Sequence, residues 1–112
     1  MSDRLPSHLL IGALLRRVHD AGGSGMVLAR GDADAGDVLL LIGESAEEMA
    51  VFERQRAIDG ALRLGVIGSA GADAAAMTHY WQRRRARDPD LWVIELIIAG
   101  GERLAAETLG CC

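Results

Sequence analysis

At 112 residues, half of them apolar and a quarter charged, the chain has material for one core and too much apolar content for a disordered polymer. Its formal charge of -4 excludes a protein that clings to nucleic acid over its whole surface, because such binding comes chiefly from neutralised phosphates. All twelve cations are arginine, which removes Schiff-base lysines, a lysine general base and a phosphate-loop lysine.

Ser7 is placed as an N-cap, and Leu10, Ile11, Leu14, Leu15 and Val18 then recur at helical spacing until Ala21-Gly22-Gly23 stops the pattern. Residues 26–30 and 38–42 are short apolar runs on either side of Gly31-Asp32-Ala33-Asp34-Ala35-Gly36-Asp37, a stretch of turn formers, and together they read as a hairpin. The run Val38-Leu39-Leu40-Leu41-Ile42 does not alternate, so it calls for cover on both faces, from a central place in the sheet or from a partner subunit. Residues 49–54 and 62–67 fit two further strands, although 46–58 reads equally well as a helix.

A helix is predicted from Ala72 or Asp73, with Met77, Tyr80, Trp81 and Arg84 on its inner side. Pro89 ends it, because the residue before a proline is pushed out of the α region. Residues 91–98 give the strongest strand signal and 102–109 a short C-terminal helix. The expected fold is α+β. It is a two-layer arrangement with a mainly antiparallel sheet of four to five strands, covered on one face by the N-terminal helix and the helix before the last strand. No repeat or linker marks a boundary, so residues 1–112 read as a single domain, with the part after about residue 98 as a C-terminal extension.

Arg83, Arg84, Arg85 and Arg87 beside Tyr80 and Trp81 form the candidate binding surface, because arginine next to an aromatic ring suits phosphate contact and base stacking. Helical geometry divides the cluster: Arg83 and Arg87 share a side, Arg85 points nearly opposite Arg87, and Arg84 lies with Met77 and Trp81. The competing explanation is that cations at a helix C-terminus complement its macrodipole. Glu95 interrupts an apolar strand on the face of Leu91, Val93 and Ile97. It calls for a partner such as Arg84 or Arg17, or else a place facing water.

Asp32, Asp34 and Asp37 lack the spacing of a calcium loop and are expected to cap backbone amides in a turn. The Gly65, Gly68 and Gly71 series sits between a strand and a helix, but has neither the dinucleotide fingerprint nor a lysine, and Asp73 would repel an anion there. His8, His19 and His79 have no metal-ligand spacing, and Ser24 and Ser69 have no nucleophile-elbow setting. No catalytic, metal-binding or cofactor-binding residue is therefore assigned. Cys111 and Cys112 are adjacent, where a mutual disulfide would be strained, so free thiols are expected; the nucleotide-binding motifs that accompany prenylated Cys-Cys ends are missing.

Three motifs carry a family resemblance: Leu14-Leu15-Arg16-Arg17, the Arg30-Gly31-Asp32-Ala33-Asp34-Ala35-Gly36 turn, and Arg87-Asp88-Pro89-Asp90-Leu91-Trp92-Val93-Ile94-Glu95. In this order they resemble a family of short bacterial proteins known as domain of unknown function 1491. The resemblance runs roughly from Arg4 to Glu95 and implies a compact α+β domain in a bacterial cytoplasm, with no activity, cofactor or catalytic residue attached. No apolar run approaches the roughly 20 residues that cross a bilayer, and no signal peptide opens the sequence, which also points to the cytoplasm and away from a membrane partner. The function expected is a non-catalytic interaction module that forms a homo-oligomer and contacts a protein partner of unknown identity. The alternatives are a weak nucleic-acid binder using the helix end at Arg83 and Arg87, and an enzyme acting on a small anion held by Glu95 and arginines.

Overall fold

Helix α1 (Ser7–Asp20) buries Ser7, Ile11, Leu14 and Val18, one residue per turn on a single stripe, and turns its arginines to solvent. The computed structural model describes residues 5–68 and 73–110. Pro6, not Ser7, is the N-cap. Ser7 is drawn one position into the helix because its hydroxyl donates to the Gly36 carbonyl at 2.7 Å, while the amides of Ser7 and His8 donate to the carbonyls of Asp34 and Ala33. Loop carbonyls thus satisfy amides that a capping side chain would otherwise serve.

Five strands follow: β1 (Ser24–Ala29), β2 (Val38–Ser45), β3 (Glu48–Arg56), β4 (Leu62–Gly68) and β5 (Trp92–Ile97). Helix α2 (Ala74–Arg87) separates β4 from β5, and α3 (Gly101–Thr108) ends the described chain. The α+β class, the three helices and the mainly antiparallel five-stranded sheet are as the sequence implied. The segment that read equally as helix or strand, 46–58, is strand β3 with its flanking turns.

The sheet order is β1-β5-β2-β3-β4, with β5 antiparallel to β1 and parallel to β2. The expected β1–β2 hairpin is therefore not formed, because β5 lies between the two strands. The connection from 30 to 37 passes over the entrance of β5 and is bonded to it. Asp32 N–H donates to the Asp90 carbonyl at 3.0 Å, Trp92 N–H to Asp37 at 2.8 Å, and the Trp92 indole N–H to the Asp32 carbonyl at 2.7 Å. Gly31 and Gly36 permit this approach. A Cβ on either would stand 2.0 or 2.1 Å from the Asp90 carbonyl oxygen, a clash of backbone that no rotamer change relieves.

Each face of the sheet carries its own core. Ile11, Leu14 and Val18 of α1 and Ala105 of α3 pack with Leu109 on Val38, Leu40, Ile42, Phe52, Trp92, Ile94 and Leu96. On the opposite face Met77 of α2, with Tyr80 and Trp81, meets Leu39, Leu41, Met49, Val51, Leu91 and Val93. The expectation that the two longer helices share one face is thus corrected: α2 lies across the sheet from α1, and adds a thin layer of its own. Residues 38–42 are all buried because β2 is central and both sides are covered, which stabilises the fold by about 1.5–3 kcal/mol per large aliphatic side chain.

Candidate functional site

The sequence of α2 sets up its own ends. Asp73 is the N-cap and accepts from the Ala76 N–H at 2.7 Å; three alanines then open the helix with the best of helix formers. Arg84, Arg85 and Arg87 occupy the last turn, where cations complement the helix dipole. Asp88 caps the C-terminus by donating its N–H to the Arg84 carbonyl, and Pro89 follows.

The four arginines have three different fates. Arg84 grips Glu53 of β3 through both guanidinium nitrogens, at 2.5 and 3.3 Å, and also donates to the Tyr80 hydroxyl at 2.9 Å. The hydrogen bonds it donates to Glu53 hold the Arg84 guanidinium well above its ordinary pKa, against an opposing effect of burial. Arg85 turns back to donate to the carbonyls of Pro89 and Leu91, fastening the helix end to the entrance of β5. Arg83 and Arg87 are exposed on one side of the helix, and with Tyr80 and Arg84 they line a cleft of about 170 Å³.

Trp81 and Glu95 lie elsewhere on that face. They border a separate cleft of about 190 Å³ with Leu28, Leu41, Met49, Met77 and Thr78. Glu95 is half-buried between Met26 of β1 and Leu41 of β2, its neighbours across the ladders, and among the described residues it makes no ion pair or hydrogen bond. Neither expected partner reaches it. Arg84 is held by Glu53, and Arg17 lies on the other side of the sheet, bonded to Glu107 at 3.1 Å and Thr108 at 2.8 Å. Arg30 stacks over the Trp92 ring, 5.4 Å from its centroid. The residues singled out around Glu95 are therefore dispersed rather than gathered about one pocket.

Sequence reasoning missed Glu53. Its signal was the alternation Met49, Val51, Glu53, which places the carboxylate on the face of two buried residues once the segment is taken as a strand. In the turn after β1, one Asp32 carboxylate oxygen accepts from the N–H groups of Asp34 and Ala35, the capping role expected of it. Gly71 of the glycine series, Ser69, and the cysteine pair Cys111 and Cys112 lie outside the described residues.

Two motifs far apart in the chain, the turn beginning at Arg30 and the Asp88-Pro89-Asp90-Leu91-Trp92 junction, thus pack on each other. They also lie within a stretch that a family model recognises. Residues 5–106 match the model for "Protein of unknown function (DUF1491)", a span that takes in most of α3. The crystal structure of a DUF1491 family protein from Caulobacter crescentus CB15 is similar with a TM-score of 0.79 and 26% identity, over 89% of this chain and 94% of that one. An NMR structure of a DUF1491 family protein from the same organism gives 0.70 and 25%, over 92% and 94%. The solution structure of a protein from A. tumefaciens gives 0.69 and 25%, over 83% and 85%. No curated protein matches the chain. The family match across most of the sequence, together with the shared fold, makes this chain a member of the DUF1491 family, whose function is unknown.

Proposed function

We propose that the protein is a cytoplasmic, non-catalytic interaction module that presents the C-terminal half of α2 to an acidic segment of a partner protein. The observation that carries this reading is the division of labour among the α2 arginines. Arg84, clamped on Glu53 and Tyr80, fixes the helix to the sheet, while Arg83 and Arg87 stand exposed one turn apart beside the Tyr80 cleft. Two guanidinium groups at this spacing, on a rigid element, suit carboxylates one turn apart or two residues apart on an extended strand.

Nucleic acid is a weaker fit to the same surface. Tyr80 is engaged by Arg84 and Trp81 packs toward the sheet, so neither ring is presented as a stacking platform, and two exposed arginines neutralise few phosphates. A glutamate-rich peptide and a single-stranded oligonucleotide, titrated at low and at physiological salt, separate the two. The peptide is expected to bind and to lose most of its affinity in R83E/R87E. Equal peptide binding by that variant removes the proposal, and binding of the oligonucleotide alone replaces it with the nucleic-acid reading.

A further inference from the structure

The two edges of the sheet differ in how they are left. β1 ends one side and β4 the other, and among the described residues each pairs with a single neighbour. β1 is regular only from Ser24 to Val27 before its register shifts, and a Cβ at Gly25 would stand 2.6 Å from the Leu15 side chain. β4 is regular from Leu62 to Val66, opposite Arg56 to Phe52 of β3, and shifts only beyond that point. Its sequence, Leu62-Arg63-Leu64-Gly65-Val66, has no proline and a single charge, so it carries little of the protection that exposed edges usually have.

The same five residues are complementary to themselves. Leu62 and Leu64 pack on the α1/α3 core, and Val66, two positions on, shares their face yet is 58% exposed. We infer that β4 is a homodimerisation strand. It pairs antiparallel with β4 of a second copy about a two-fold axis through Leu64, and the two five-stranded sheets become one. In that register Val66 lies across from Leu62 of the second copy, and Leu64 from its own equivalent, giving an unbroken apolar row. On the other face Arg63 lies across from Gly65, which has no side chain to obstruct it.

Among the described residues no strand pairs with the outer edge of β4. A cleft of about 540 Å³ runs between the β4 edge and α3, lined by Arg63, Leu64, Glu102, Arg103 and Ala106, on the side where the added leucines and valine point. Glu102 and Arg103, brought toward their two-fold mates across this cleft, supply charges of both signs. A ladder of this length with one helix flank is small for a specific interface, so association at micromolar protein is expected, not an obligate dimer. This surface is separate from the α2 arginines, and the two proposals stand or fall independently.

Sedimentation or light scattering of the full chain, from micromolar to sub-millimolar concentration, tests it. The mass is expected to rise from 11.9 kDa toward twice that value in the wild type. V66K, which puts an ammonium into the apolar row at an already exposed position, is expected to stay at the monomer mass with an unchanged circular dichroism spectrum. R83E/R87E is expected to dimerise as the wild type does. Hydrogen exchange on the unaltered chain gives a second reading, because β4 amides are then slower at high concentration than at low. A wild-type mass that stays at the monomer value, a V66K dimer, or β4 exchange that ignores concentration would each overturn the inference. So would a monomer that takes up only a foreign extended peptide at this edge.

Discussion

The two faces of the sheet are covered by different means. On the α1/α3 face two helices bury an apolar core of aliphatic side chains with Phe52 and Trp92, and the ion pair present there, Arg17–Glu107, lies outside it with side chains 47% and 56% exposed. On the α2 face one helix contributes a single buried residue, Met77, and the Glu53–Arg84 pair sits inside the layer at 19% and 29%. The first face is held chiefly by apolar packing, with its few polar groups at the margin bonded to backbone carbonyls, as Ser7 is to Gly36 and the Trp92 indole to Asp32. The second is held partly by a directional contact, and so keeps ionised groups close enough to the surface to meet another molecule.

Matched truncations probe this contrast most strongly. Leu40→Ala on the α1/α3 face and Leu41→Ala on the α2 face remove equivalent side chains from neighbouring positions of the same strand. Losses of about 2–5 kcal/mol are expected from urea midpoints, with the larger at Leu40, because a thin layer collapses more readily into the space left behind. Equal losses would show that α2 packs as firmly as α1.

Arg84→Ala is next in size. It strands a half-buried carboxylate, and a loss of about 1.5–3 kcal/mol is expected, with a Glu53→Ala, Arg84→Ala double variant losing less than the sum of the single ones. Because the pKa of Arg84 is raised in the folded state, its contribution is complete below its unfolded value and fades only as pH rises through the folded one. Both lie in strong alkali, so the Arg84→Ala deficit attributable to this guanidinium is expected to stay level through neutral pH.

The smallest effect belongs to the exposed pair of the other face. Glu107→Ala is expected to cost under about 1 kcal/mol and to become indistinguishable from wild type in high salt, as measured by thermal midpoints. A larger, salt-resistant loss would mean that the two ion pairs are of one kind after all.

Much of this architecture could be read from local pattern. The 3.6-residue spacing from Leu10 to Val18 and the stop at Pro89 are written within a few neighbouring residues, and so are the runs that became β2 and β5. β3 was ambiguous because both its faces are buried near the middle, so Met49-Ala50-Val51-Phe52 shows no alternation of apolar and polar residues. The false hairpin has a different cause. Adjacent runs pair by default, and nothing local announces that a strand some fifty residues later inserts between them. The one available sign was length, since the connection from 30 to 37 is longer than the two to five residues that tight hairpins favour. The candidate site was legible to the same degree. Arg83 and Arg87 on one side of α2 follow from 100° per residue, whereas the Glu53 grip on Arg84 required knowing which strand lies under the helix.

The late insertion of β5 also governs how the molecule can come into being. As the chain leaves the ribosome, β2, β3 and β4 can zip together by neighbouring turns, while β1 waits without a bonding partner until residue 97 has emerged. The assembly step is then a long-range one, in which a single segment docks into a slot between two strands made much earlier and adds side chains to both cores at once, before α3 closes the first of them. Nascent chains halted before Trp92 would carry β1 and the open side of β2 uncovered, and would be the form most in need of a chaperone.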